Sequence, residues 1–450
     1  MSTKDLVING GAKIRQKPWP ARKSFGSEEK AAAMRLFDQS IASGNPIIYG
    51  GPEEDAYCKA FVTFQGMDGY CDAVNSGSTA VYIALRALDI EPFSEVIVGA
   101  VTDPGGIMPI PLLNLIPMVA DTTPDSYNSG PAQIEPLITK RTRAIVVAHI
   151  AGEPLDIEPI AALAKKHNLY LIEDCAQSHG AMRNGRKVGT FGDIAAFSTM
   201  FGKSHSTGGH GGLVYTRNAG LYQKIRWASD RGKPFGLAPD AGNQIAALNY
   251  NQDDLGCAIG VEQLKKLPGI NESRRAIVKK FDAAFRSLKS VSVPKLADDV
   301  YCVYWFLRTR FNAGAVTCDK KTFVDALIAE GLPLQPTYSR DIPHRRPWFT
   351  ERRVFGSSGY PWASPDYKGD KNAQFLCPNS LAVDDAHFVI SINEGWDDEA
   401  VNDAVAIIKK VEMAYMRKRF VLHRLHSKGS VLPIVITLYC SYAPMSTPKP

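Results

Sequence analysis

A chain of 450 residues, 45% hydrophobic and 22% charged, has the composition of an ordinary globular protein and enough apolar material for more than one core. Its formal net charge of +6 is spread along the sequence and forms no basic arm, so it gives no electrostatic footing for nucleic acid and hints only at anionic substrates. Three further features point to a reduced, cytoplasmic protein without a metal or a membrane span. The eight cysteines form no CxxC pair, no charged-then-apolar leader is present, and the most apolar late stretch, residues 431–439, falls far short of the roughly 20 residues of a spanning helix.

In chain order, apolar runs rich in β-branched residues predict short buried strands at 95–100, 115–120, 144–149, 169–172 and 194–198. Three-to-four spacing predicts helices at 79–88 and 157–167. This alternation predicts an α/β fold, a large domain with a mostly parallel sheet covered by helices on both faces. Past residue 269 the pattern changes to a helix at 272–288, strands within 301–311, a helix at 320–330 and a last helix at 397–415, which reads as a smaller C-terminal α+β domain. The expected division is an N-terminal arm (1–26), a large cofactor-binding domain (27–269), a small domain (270–415) and an accessory or disordered tail (416–450). Residues 336–378, dense in Pro, Gly, Trp, Tyr and Arg, read as one long structured loop.

Three motifs carry chemistry. Asn75-Ser-Gly-Ser-Thr-Ala80 precedes a helix, where small residues let backbone amides approach an anion and Ser78 and Thr79 add hydroxyls; taken alone it is also an ordinary N-cap turn. Leu171-Ile-Glu-Asp-Cys-Ala-Gln177 runs an apolar strand into two carboxylates, which face a ligand at a strand's carboxyl end or cap the next helix. Phe197-Ser-Thr-Met-Phe-Gly-Lys203 leads to a glycine-rich hairpin, where a lysine can be desolvated and made nucleophilic, although most lysines are surface residues. A phosphate turn, an acidic strand end and a Ser-to-Lys segment, in that order, match the cofactor contacts of fold-type I pyridoxal-phosphate enzymes.

With these motifs stand Ile8-Asn-Gly-Gly11, Tyr49-Gly50, Val147-Ala-His-Ile-Ala-Gly152, Gly189-Thr-Phe-Gly-Asp193, Asn249-Tyr-Asn251, Ala258-Ile-Gly260 and Gln263-Leu264. Over about 8–412 the chain resembles the DegT/DnrJ/EryC1/StrS family of sugar and cyclitol aminotransferases, which includes 3-amino-5-hydroxybenzoate synthase. The resemblance implies pyridoxal 5'-phosphate as cofactor, with Lys203 as the Schiff-base lysine and Asp174 on the pyridine nitrogen. It implies Gln177 at the phenolic oxygen, Gly77, Ser78, Thr79 and Ser198 at the phosphate, Thr102 at the strand end beside them, and Asn251 reaching in from the neighbouring subunit of a homodimer.

The implied reaction moves an amino group from glutamate or glutamine to a keto-sugar, keto-cyclitol or related natural-product precursor. A dehydratase of the same family and a non-catalytic regulatory relative are the rival readings. Tyr49, His205, His210, Tyr338 and His344 are the candidate substrate contacts, the last two within the long loop along with Arg340, Arg345 and Trp348. His149 reads as structural. The chain departs from the family pattern at Asp103, where an aromatic residue commonly follows the threonine, at His210 in the hairpin, and in a slightly longer stretch between Lys203 and that hairpin. It departs again at Gln252-Asp-Asp254, where an arginine is frequent.

Overall fold

The computed structural model describes residues 1–338 and 342–417. Arg340 and nearly all of the expected tail lie outside the described residues. The large sheet has seven strands: β1 (Tyr70–Val74), β2 (Glu95–Gly99), β3 (Ile116–Ala120), β4 (Thr142–Ala148), β5 (Tyr170–Asp174), β6 (Ile194–Ser198) and β7 (Gly212–Thr216). They lie side by side in the order β1-β7-β6-β5-β4-β2-β3. The run from β3 to β6 is parallel, and β7 is antiparallel to both β1 and β6.

Both faces of this sheet are buried, which explains the continuous apolar runs. Successive side chains alternate across a strand, so Val96, Val98, Val146 and Ile172 enter one core while Ile97, Ile145, Val147 and Leu171 enter another. The helix Gly77–Ala87 packs in the first core and the helix Ile157–Lys166 in the second. Strand β1 had no strand signal in the sequence because its middle residue is charged. Asp72 is wholly buried there, and Arg226 Nη1 meets its carboxylate at 2.9 Å.

The small domain is built on a four-stranded antiparallel sheet from Val291–Ser292, Leu307–Phe311, His387–Ile390 and Leu334–Gln335, backed by the helices Lys320–Ala329 and Asp398–Tyr415. The strands expected within 301–311 are two, Val300–Tyr301 and Leu307–Phe311, separated where Tyr304 takes a left-handed backbone with φ of 47°. The first of them pairs with Met182–Arg183 of the large domain.

One helix serves both domains. Asp254–Phe285 opens with Asp253 as N-cap, buries Cys257, Leu264 and Leu267 with the large domain, and ends with Ile277, Val278, Phe281 and Phe285 in the small-domain core. The expected division at 269–270 therefore falls inside a continuous helix. The N-terminal segment packs on the small domain, through Leu6 in its core and Trp19 stacked on Trp396 at 4.9 Å.

The long loop also departs from its place in the sequence. Phe349, Trp362 and Tyr367 insert into the large-domain core, and the Tyr367 hydroxyl donates to Glu95 Oε1 at 3.0 Å, at the start of β2. Short helical turns at Pro343–Arg345 and Pro347–Thr350 lie within it.

Replacing Phe281, fully buried where the shared helix meets the small domain, with Ala should cost about 3–5 kcal/mol. The measurement is the denaturant midpoint of the small-domain transition, and an unchanged midpoint would deny the helix this role.

Candidate active site

The carboxyl ends of β4, β5 and β6 and the start of the helix Gly77–Ala87 surround a cavity of about 160 Å³. It is lined by Ser76, Gly77, Ser78, Asp103, His149, Asp174, Gln177, Ser198, Lys203 and His210, among others. A second cavity of about 420 Å³ adjoins it, with Asp103 in the wall of both; Thr102, Trp305, Tyr338, Arg22, Arg274 and Asn393 also line the second.

The helix end is built to face an anion. Ser76 is its N-cap, with Oγ accepting from the Thr79 amide at 3.1 Å. Thr79 Oγ1 is turned back onto Ser76 at 2.7 Å and caps the helix without lining the cavity. A Cβ on Gly77 would lie 2.4 Å from Ser198 Cβ, so only glycine lets the turn come this close to the end of β6. The exposed amides and dipole of a helix start favour a phosphate there.

Asp174 ends β5 on the cavity side. Its Oδ1 accepts from the Ala176 amide at 3.0 Å. Burial raises its pKa and Asp103 adds to the rise, while the Ala176 amide and Lys203 oppose it. Lys203 sits in the loop joining β6 to β7, which is closed by hydrogen bonds from Thr199 N to Gly211 O at 2.8 Å and from Phe201 N to Gly209 O at 2.9 Å. Burial lowers the Lys203 pKa, against the pull of Asp174 and Asp103. Its Nζ lies 4.1 Å from the ring centre of Trp305, a small-domain residue that donates to Gly202 O at 3.2 Å.

Next to Asp174, Glu173 points to the opposite face and is held by four donors. Gly189, Phe191 and Gly192 donate backbone N–H at 2.8, 2.7 and 2.6 Å, and His149 Nε2 donates at 3.1 Å. His149 Nδ1 accepts from Leu155 N at 3.2 Å, which fixes the proton on Nε2. His149, Glu173 and Cys175 lie close enough together to suggest a metal site, but these bonds occupy the Glu173 carboxylate and both histidine nitrogens.

Other expected positions fare unevenly. Gln177 lines the cavity, accepts from Ala151 N at 2.9 Å and donates to the Tyr338 hydroxyl, so Tyr338 joins the site from the long loop. His210 lines the cavity at its exposed rim. Three of the expected substrate contacts lie elsewhere. His205 is fully buried against the Tyr57 hydroxyl and Gly260 O, and burial pulls its pKa down to about 4. His344 lies in the long loop, in a separate cleft that shares no residue with the cavity, and Tyr49 is a surface residue beside Arg231. Asn251 bridges to Val74 just behind the phosphate turn, outside the cavity wall of its own chain.

Trp305, Arg22, Arg274 and Asn393 gave no motif in the sequence. Only folding brings these N-terminal and small-domain residues over the large sheet.

Glu173 is the strongest test of how the site is held together. Its backbone donors and His149 outweigh burial and lower its pKa, so it contributes stability above the ordinary glutamate value of 4.5 that is lost as pH falls through its lowered value. Glu173→Gln should cost about 3–5 kcal/mol at neutral pH and flatten the loss of stability on acidification, read from melts taken from neutral pH down to well below the ordinary glutamate value. An acid limb as steep as in the unsubstituted protein would assign it to other carboxylates.

Comparison with known proteins agrees with this geometry. The model of the DegT/DnrJ/EryC1/StrS aminotransferase family matches residues 28–365. An L-glutamine:2-deoxy-scyllo-inosose aminotransferase from Streptomyces fradiae is 30% identical over 77% of this chain and 84% of its own. A GDP-perosamine synthase from Caulobacter vibrioides is 33% identical over 62% of this chain and 74% of its own. The crystal structure of an aminotransferase from Psychrobacter cryohalolentis superposes with a TM-score of 0.77 at 25% identity, covering 89% of this chain and 99% of that one. Aminotransferases of this family use pyridoxal phosphate, and the residues present fit that group: a helix start for its phosphate, a buried carboxylate for a pyridinium nitrogen and a buried amine between them. The chain belongs to the DegT/DnrJ/EryC1/StrS aminotransferase family and is a pyridoxal-phosphate-dependent transaminase.

Proposed function

We propose that this enzyme takes an amino group from glutamine or glutamate and delivers it to the carbonyl of a keto-sugar or keto-cyclitol, with Lys203 as the catalytic amine. The observation that supports this most is that Lys203, Asp174 and the helix start at Ser76–Ser78 line one cavity. When bound there, pyridoxal phosphate supplies an electron sink for the carbanion formed at the carbon that loses or gains the amine.

The residues divide the remaining work. Ser76, Gly77, Ser78 and Ser198 anchor the phosphate, and Asp174 holds a proton on the ring nitrogen because a buried carboxylate needs a cationic partner. Lys203 Nζ, kept below the ordinary lysine range by burial, can exist as a free base that takes and returns a proton at the substrate carbon. Gln177, bonded to Tyr338, lines the wall and would face the cofactor's phenolic oxygen.

The 420 Å³ cavity is the acceptor's place. Arg22 Nε and Arg274 Nη2 share the single carboxylate of Glu394, at 2.6 and 2.8 Å, so this group in the wall keeps one net positive charge. With Tyr338, Asn393, Gln335 and Asp103 around them, the wall offers hydrogen bonds suited to a polyhydroxylated ring. A homodimer with Asn251 contributed by the neighbouring subunit completes the reading.

Between this reading and a dehydratase, the position of the amine favours transamination. Counting back from the hairpin glycines would put Ser204 at the lysine position with His205 beside it, yet Lys203 is the residue in the cavity wall and neither Ser204 nor His205 lines it.

The experiment is a pair of half-reactions. Glutamine should convert the yellow holoenzyme to its colourless amine form, and a keto-cyclitol or keto-sugar should restore the colour with release of the aminated product. Lys203→Ala should slow both by at least about 10²–10⁴-fold. Failure of glutamine and glutamate to bleach the enzyme, or dehydrated product without amine transfer, would refute the assignment.

A further inference from the structure

A further cleft lies away from Lys203. A cleft of about 840 Å³, within the range of about 300–1,000 Å³ typical of small-molecule sites, is formed wholly by the long loop. It shares no residue with the two cavities of the active site. The loop packs its aromatic residues into the core of the large sheet and is tied by Tyr367 to the start of β2, whereas the active site lies at the carboxyl ends of β4, β5 and β6.

Its floor is rigid, because Phe349 and Trp362 are buried in the large-domain core. Its lining has one sign of charge. Arg345, Arg352 and Lys371 line it, and among the described residues no carboxylate does. The Arg352 guanidinium lies over Trp362 at 4.5 Å and Phe349 at 4.9 Å and donates only to the carbonyls of Phe349 and Ala373, at 3.2 and 3.3 Å. Burial lowers its pKa, against the longer-range pull of Tyr367 and Asp370. Glu351 is nearby but paired with Arg353.

His344 adds an independent sign. Its side chain lines the cleft, the residue is 5% exposed, and neither ring nitrogen has a hydrogen-bond partner among the described residues. The Phe375 backbone is near enough to the ring to oppose the fall in its pKa. Burial brings the pKa of His344 down to about 4, so at neutral pH the ring offers one donor and one acceptor. A buried, unsatisfied histidine is costly unless something enters the cleft to bond it. Phe375 and the 81% exposed Leu376 give the cleft an apolar lip.

We infer that this cleft is a second ligand site, separate from the reaction at Lys203, which binds a small molecule through a phosphate or diphosphate group held by Arg345, Arg352, Lys371 and His344. Guanidinium and ammonium groups with no carboxylate to neutralise them favour such an anion. The lip is placed to receive an attached apolar or aromatic portion.

Calorimetric titration of the full-length holoenzyme tests this, with inorganic pyrophosphate in one arm and uridine diphosphate in the other. The expected result is one saturable site per chain, weakened about tenfold or more by the paired surface change Arg345→Glu/Lys371→Glu. Cofactor colour and bleaching by glutamine should stay unchanged in that variant. Tighter binding of uridine diphosphate would support a nucleotide, and equal binding the phosphate group alone. No saturable binding by the unsubstituted enzyme would overturn the inference. So would binding that survives the paired change, which would place the anion elsewhere, for instance at the Ser76–Ser78 turn.

Discussion

The site depends on taking an acid and a base out of water at the ends of two neighbouring strands. Asp174 ends β5 and Lys203 follows β6, and burial disfavours the charged form of each. They partly relieve one another, yet no direct ion pair joins them. Each therefore keeps a demand that a cofactor can meet: the carboxylate gains from a protonated ring nitrogen, and the amine gains from reacting as a free base. Burying both groups is costly, and the surroundings must hold them in place.

Two structures outside the chemistry do so. Behind Asp174, Glu173 gathers three backbone amides and His149 into one knot that fixes the end of β5 against β4 and residues 189–192. Above Lys203, the N-terminal segment and the small domain close over the loop. Glu394 binds Arg22 and Arg274 together, Arg274 also donates to the carbonyls of Tyr304 and Trp305, and Trp305 reaches Gly202 O. A lysine in a glycine-rich hairpin would be mobile by itself. Here the pressure of a second domain limits it, which explains why one long helix runs without a break from the large core into the small one.

Much of this was legible in the sequence because it rests on local rules. The strands β2 to β6 announce themselves as apolar runs since both faces of the sheet are covered; Ser76, Asp174 and Ser198 stand at element ends, where turn and cap residues are recognisable, and Lys203 in the glycine-rich loop that follows. The rest depends on contacts distant in sequence. Strand β1 is hidden by Asp72, whose burial makes sense only with Arg226 beside it. His205 follows the lysine by two residues yet faces the core, because the loop folds back through Thr207 N to Thr199 O. Trp305 carries no motif and matters only through the closing of the small domain. The long loop reads as part of the small domain by order, but its aromatic residues find their partners on the large sheet.

The central claim is that the amine serving the cofactor is Lys203 and no other. Reducing the holoenzyme with borohydride and mapping the modified peptide by mass spectrometry measures this directly. The cofactor's mass should appear on Lys203 alone and disappear from the protein when Lys203 is replaced by Ala. Cofactor retained on another lysine, or unmodified Lys203 in fully yellow protein, would contradict the account.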